Sequence, residues 1–250
     1  MKLETIIPRQ GINDDGKGKK YALHKLISAS SADYVWLQDD DITPPVAVLS
    51  GQQLSSADLF ILPLRMVGGS SLLERLQIAE YAAIQQLTMD MAKKGRPIMC
   101  SGANLIVNRQ RWLESWQDLH PEIPSGDDMF LLESFKRRSL RIVALDDERF
   151  TATVQAEKSW SAFWHQRMRW AGKAPHYTDA DIRRYGAIVL VANILQLICP
   201  PIILLKFPFE YRLIKKRDKN VSFLIALLLE ILYPFYMLIS LIGGLFRRKW

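Results

Sequence analysis

The spacing of hydrophobic positions changes period repeatedly over the first 180 residues and then gives way to long apolar runs. Residues 19–30 put Ala22, Leu23, Leu26 and Ile27 on one face, which predicts a helix. Residues 33–38 (DYVWLQ) predict a buried strand, stopped by three aspartates and Pro44-Pro45. A second strand is expected over 58–64 (DLFILPL). A long helix is expected over 71–94, opened by Gly68-Gly69-Ser70 and closed by Gly95. Strands are expected at 97–100 and 103–107, around Ser101-Gly102, followed by helices at 109–117 and 127–138. Strands at 140–145 and 151–156 come next, then a helix at 159–173 loaded with aromatics and arginines. Alternating strands and helices predict an α/β domain over residues 1–180.

Residues 181–250 form a different region, with apolar segments at 186–207 and 221–246. Both have the length needed to span a bilayer. Pro200-Pro201 interrupts the first, so a re-entrant or interfacial element competes with a crossing there. Glu230, inside the second, is expected to face protein or a headgroup. Buried core helices are the bland alternative for both. If both segments cross, the loop 208–220 with its five Lys/Arg lies opposite the globular domain, against the positive-inside tendency. A segment lying in the interface removes that conflict.

Composition narrows the partners. The 250 residues are 49% hydrophobic and carry a net charge of +7. The basic residues Arg183, Arg184, Lys215, Lys216, Arg217, Arg247, Arg248 and Lys249 flank the apolar segments, which favours a membrane surface over nucleic acid. No nucleic-acid-binding motif is visible. The cysteines, Cys100 and Cys199, lack metal-ligand spacing, and His24, His120, His165 and His176 are scattered, so no zinc site is expected. The start, MKLETIIPRQ, holds no leader-like apolar core, so insertion is expected from the C-terminal segments.

Four stretches carry candidate chemistry. LQDDD at 37–41 sets three carboxylates after a buried strand, where α/β sheets usually hold ligands. Asp39 and Asp41 can converge there on magnesium or manganese; an acidic solvated turn is the competing reading. SGDDMFLL at 125–132 opens a helix. Ser125 or Asp127 can cap it, and a first-turn carboxylate beside a cleft can serve as general base. HQRMRW at 165–170 puts Gln166, Arg169 and Trp170 on one helical face, suited to a phosphate and a stacked sugar, or to an amphipathic interfacial helix. GKGKK at 16–20 lacks Walker spacing. Lys17, Lys19 and Lys20 can attract a diphosphate or simply form a basic loop.

The ordered set GKGKKYAL (16–23), DYVWLQDDDITPP (33–45), CSGANLIVNR (100–109), SGDDMFLL (125–132) and QRMRW (166–170) resembles the family 2 glycosyltransferases, related to cellulose synthase, hyaluronan synthase and ceramide glucosyltransferase. The resemblance covers roughly residues 16–173. It implies an α/β, GT-A-like nucleotide-sugar-binding sheet with flanking helices, followed by C-terminal membrane helices. It implies inverting, metal-dependent transfer from a nucleotide sugar, such as a UDP-sugar, to a lipid or glycan acceptor. Asp39 and Asp41 match the DxD pair that holds Mg2+ or Mn2+. Asp128 matches the general base, with Asp127 orienting its loop. Gln166, Arg169 and Trp170 match QxxRW, which contacts donor diphosphate and acceptor. Asn104 lies in a segment matching the acceptor end, and Lys19 in the basic stretch at the donor. An integral membrane protein with its catalytic domain in the cytoplasm, at a bacterial inner membrane, is implied too. Family members begin with a further βαβ portion, so the sheet is expected to be incomplete, with an exposed hydrophobic edge. A truncated, non-catalytic membrane protein is the alternative expectation.

Overall fold

The computed structural model describes residues 1–8, 18–47, 49–123 and 125–246. Lys17 of the basic stretch, and Arg247, Arg248 and Lys249, lie outside them. In chain order the elements are β1 (Leu3–Ile6), α1 (Lys19–Ala29), β2 (Tyr34–Gln38), α2 (Gly51–Leu54), β3 (Leu59–Ile61), β4 (Leu64–Val67) and α3 (Leu72–Lys93). Then come β5 (Asn104–Asn108), α4 (Arg109–Glu114), α5 (Asp127–Arg137), β6 (Ile142–Ala144), β7 (Ala152–Gln155) and α6 (Trp160–Ala171). The chain ends in α7 (Ala180–Ile198), α8 (Ile203–Arg217) and α9 (Phe223–Leu245). Contacts divide it into two compact units, residues 1–64 with 88–154, and residues 65–87 with 155–250.

The first unit is built on a five-stranded sheet in the order β1-β2-β5-β3-β6. The α/β class expected from the sequence therefore holds. β5 runs antiparallel to β2 and β3, while β1–β2 and β3–β6 are parallel. Every residue of β2 is buried, as its unbroken apolar run requires. Tyr34, Trp36, Leu54, Phe60, Ile106 and Phe150 share one core.

One expectation fails here. Residues 97–100 form no strand, because β2 and β3 already occupy both edges of β5. That segment instead runs beside α5, where Lys136 Nζ donates to Pro97 O at 2.9 Å and Cys100 Sγ to Asp128 O at 3.2 Å. The outer strand of the sheet on this side is β1. Leu3–Ile6 pairs with it in parallel register, Leu3 opposite Tyr34 and Ile6 opposite Leu37.

In the second unit, the α3 residues Leu76, Ala79, Ala82 and Ala83 share a core with Ile225, Ala226 and Leu229 of α9. The predicted segment 186–207 is not one helix. Pro200-Pro201 starts a 3-10 turn at 200–202 that separates α7 from α8, since neither proline can donate to the preceding turn. The segment 221–246 is the single helix α9, capped by Ser222, whose side chain accepts from the Ile225 N–H at 3.3 Å. Among the described residues it is the one helix long and apolar enough to cross a membrane.

Candidate functional site

Three loops of the first unit converge on one cluster of charge. β2 ends at Gln38 and delivers Asp39, half-buried, with Asp40 and Asp41 exposed on the turn that follows. α1 starts at Lys19, after Gly18 at φ 90°, a left-handed conformation that suits glycine. The ammonium of Lys19 is ion-paired with Asp39 and lies 3.9 Å from Asp127 Oδ2. Burial works to lower the Lys19 pKa, but Asp127 and Asp39 outweigh it and hold it well above the usual range. Lys19 therefore stays cationic across the neutral range.

α5 opens at Gly126, in the left-handed region at φ 88° and without a side-chain cap. The N-cap position expected at Ser125 or Asp127 falls on Gly126, and both carboxylates of the first turn lie C-terminal to it. Asp127 is buried, 6% exposed, and Asp128 half-buried. Asp128 Oδ1 accepts from the Met129 N–H at 2.8 Å and Oδ2 from the Gly102 N–H at 3.3 Å. Gly102 admits this approach only because it lacks a side chain. A Cβ there would stand 2.9 Å from Asp127 Oδ2, 3.4 Å from Lys19 Nζ and 3.7 Å from Asp128 Cβ. Beneath them, burial and then Asp128 push the Cys100 thiol pKa up, so it stays a neutral thiol.

Lys20, which the sequence grouped with Lys17 and Lys19 as able to attract a diphosphate, is instead turned inward to support this cluster. Lys20 is fully buried. Its ammonium donates to Leu119 O at 2.5 Å, His120 O at 2.9 Å and Ile123 O at 2.8 Å, and sits 5.0 Å from the Phe130 ring centroid. It thereby pins the loop that leads into α5. Its signal was faint, since in the sequence it is one of three lysines in a basic stretch.

Asn104, expected at the acceptor end, is 1% exposed. Its carboxamide accepts from Trp36 Nε1 at 2.9 Å and donates to Pro63 O and Phe150 O at 2.8 Å each. In this structure the side chain ties the Trp36 indole of β2 to the backbone that follows β3 and precedes β7.

The expected residues of α6 belong to the second unit. Arg169 is exposed, and Gln166 and Trp170 are half-buried. Gln166 Nε2 donates to Glu157 Oε1 at 3.0 Å, and Glu157 is held through its backbone by Gln77 of α3, with bonds of 2.9 and 3.0 Å. The residue between them, Arg167, organises the helix and was not singled out from the sequence. It is 4% exposed and ion-paired with Glu80 of α3. Its guanidinium lies 4.7 Å from the Phe163 ring centroid and 4.5 Å from that of Trp170, and it donates to Gln166. Arg167 thus fixes the rotamers of both Gln166 and Trp170.

Carboxylates and a diphosphate suit a hard divalent cation, which needs one or two carboxylates beside its phosphate oxygens. Asp39, ion-paired with Lys19, and the exposed Asp41 are carboxylates of that kind. No group of three or more His, Cys, Asp or Glu side chains able to hold a metal occurs among the described residues.

A family model described as "Glycosyltransferase like family 2" matches residues 3–173, which takes in both the β1 strand and all of α6. No curated protein matches the chain.

Proposed function

Because the chain belongs to the family 2 glycosyltransferases, and is by that membership a glycosyltransferase, we propose that it transfers a sugar, with inversion, from a nucleotide-sugar donor to a lipid or glycan acceptor at a membrane. The observation that carries this reading is the meeting of Lys19, Asp39, Asp127 and Asp128 around Gly102. Asp128 is the general base. Its carboxylate is aimed by the Gly102 and Met129 N–H groups and takes the proton of the acceptor hydroxyl. The acceptor oxygen then forms its bond to the anomeric carbon as the bond to the diphosphate breaks and the leaving group keeps the electron pair. Asp127 keeps Lys19 in place, and Lys19 offers its charge to the donor phosphates.

Asp39 and Asp41 would hold Mg2+ or Mn2+. When bound, that ion neutralises charge gathering on the leaving diphosphate. Arg169 and Trp170, with Gln166, would contact the diphosphate and stack on the acceptor sugar. The preferred donor class is a UDP-sugar. The working location is a membrane whose cytoplasmic face carries the catalytic unit, as at a bacterial inner membrane.

The test is Asp128→Asn in the full chain. UDP with Mn2+ is titrated by calorimetry, and nucleoside diphosphate release is followed with a panel of UDP-sugars. Loss of a positioned base is expected to slow transfer by about 10²–10⁴-fold, with the UDP affinity and melting temperature close to wild type. Transfer retained in that variant removes the role assigned to Asp128. A wild-type chain that binds no UDP in the presence of Mn2+ removes the donor assignment.

A further inference from the structure

Helices α7, α8 and α9 are built inside out. On α9 and its C-cap the exposed residues Leu224, Ile231, Phe235, Ile239, Ile242 and Phe246 recur at intervals of three, four or seven, and exposed Phe223, Leu232 and Leu245 widen that stripe into a broad apolar face. On α8, Leu204, Leu205 and Phe209 are exposed while Lys206 turns inward. The Lys206 ammonium meets Asn193 Oδ1 at 2.8 Å, Gln196 Oε1 at 3.1 Å and Glu230 Oε1 at 2.7 Å. Gln196 Nε2 closes the knot on Glu230 O at 2.9 Å. Asn193 and Glu230 are 1% and 3% exposed. Helices in water place charge outside and aliphatic groups inside; this reversal is what an apolar solvent selects.

The orientation follows from what the opposite side of α9 touches. At ~1.5 Å per residue the helix is long enough to cross hydrocarbon. Yet it is packed on protein along its whole length. Ile225, Ala226 and Leu229 share a core with Leu76, Ala79 and Ala83 of α3. The Tyr236 ring meets Phe163 of α6 at 5.8 Å between centroids. At the far end, a Cβ on Gly243 would meet Met168 Sδ at 2.8 Å, and one on Gly244 the Gly172 N at 2.7 Å. α6 therefore runs alongside the C-terminal half of α9, and α6 exposes His165 and Arg169, while α3 exposes Arg75. Standing α9 upright in a bilayer would drag these helices into hydrocarbon, at about 2.5–3.5 kcal/mol for each charge near the centre. Laid flat, α9 keeps them out. The helices that carry the apolar stripes also expose Arg183 and Arg184 on α7 and Arg212 and Lys216 on α8, suited to anionic headgroups.

We propose that α7, α8 and α9 dock into one leaflet of an anionic bilayer with α9 lying in the membrane plane, so that the described chain does not cross the membrane. The proposal rests on the membrane association put forward above and specifies its geometry. It also removes the charge conflict of translocating the basic residues of 208–220, most of which lie in α8, because nothing is translocated.

The test uses the full chain with Cys199→Ser and one new cysteine at a time, at exposed positions. In sealed membrane vesicles of either orientation, Asn220→Cys and Phe246→Cys flank α9, and a membrane-impermeant maleimide is expected to label both from the same face. Nitroxide labels at Leu224→Cys, Phe235→Cys and Ile242→Cys are expected at one depth, about 5–10 Å below the headgroups. Labelling from opposite faces, or Phe235→Cys far deeper than Leu224→Cys, means that α9 crosses; the in-plane geometry then falls while membrane association stands. Flotation with phosphatidylcholine vesicles containing about a quarter phosphatidylglycerol reads the association itself. A chain that stays at the bottom of the gradient, or hides its stripe in a soluble dimer seen by sedimentation velocity, overturns both.

Discussion

One inward-turned lysine organises each unit, Lys20 in the first and Lys206 in the second, and the partners of these two differ. In the first unit, Lys20 gives its ammonium to three backbone carbonyls of the segment Leu119–Ile123. In the second, Lys206 gives its ammonium to side chains of α7 and α9, namely Asn193, Gln196 and Glu230. The first arrangement fixes a loop that ordinary secondary structure leaves without partners. The second joins helices whose outer faces are apolar and which cannot rely on water to favour burying those faces. Buried charge therefore shapes a site in one unit and assembles a scaffold in the other. The Glu80–Arg167 pair belongs with the second kind, since it joins α3 to α6 and only indirectly sets Gln166 and Trp170.

The largest effect that would break this contrast is expected at Glu80. Glu80→Leu leaves the Arg167 guanidinium buried beside aromatic rings without its counter-ion, which costs about 3–5 kcal/mol. Thermal unfolding in detergent is expected to show a large drop in melting temperature. Adding Arg167→Met should recover most of it, because an apolar pair of similar volume is often as stable as a buried ion pair. If the double variant is no better than Glu80→Leu, the pair does more than hold two helices together, and the contrast with the first unit narrows.

Next in size is Lys20→Met. It leaves Leu119 O, His120 O and Ile123 O without their shared donor, at about 2–3 kcal/mol. Urea unfolding should move, and transfer should fall with it, since the loop leads into the first turn of α5. Lys19→Met, one residue earlier and partly exposed, is expected to cost less than Lys20→Met, about 1 kcal/mol from the lost pairing with Asp39 and Asp127, while weakening UDP binding. Adjacent lysines would then separate support from chemistry. Equal effects on stability would remove that distinction.

How far the sequence could reach is seen in these same residues. α1, β2, α3, α5 and α6 were legible because periodicity and punctuation agreed, and each begins or ends within about two residues of its expected bounds. The carboxylates were legible because unbroken apolar runs led straight into them or out of them. β1 was not, since four residues with Glu4 and Thr5 in the middle show no period; its strand state comes from the edge of β2. The break between α7 and α8 was announced by Pro200-Pro201, although apolar content alone spread one segment across it. Arg167 was hidden between Gln166 and Arg169, and Glu80 lay in an apolar stretch 87 residues away in the chain. Only spatial proximity joins them, and one sequence without a fold contains no record of it. Lys20 was concealed differently: a buried lysine and a solvated one are the same letter, and the carbonyls that distinguish it lie about 100 residues on.

The sharpest comparison involves two glycines. At Gly102 an added methyl group would press on the far end of a flexible side chain, Asp127 Oδ2 at 2.9 Å. At Gly244 it would press on backbone, Gly172 N at 2.7 Å and Met168 O at 2.9 Å. A carboxylate can rotate away, whereas two packed helices must separate. Gly244→Ala is therefore expected to cost about 1–3 kcal/mol, and Gly102→Ala about 1 kcal/mol or less. For transfer the order should reverse. Gly102→Ala turns Asp127 away from Lys19 and disturbs the N–H that aims Asp128, so transfer should fall by about 10-fold or more even in well-folded protein. Melting temperatures and initial rates measured on both variants would decide it. A Gly102→Ala chain that melts early and yet transfers at the wild-type rate would show that the close approach of Gly102 serves packing, as that of Gly244 does, and that the carboxylates of the first unit need no such aim.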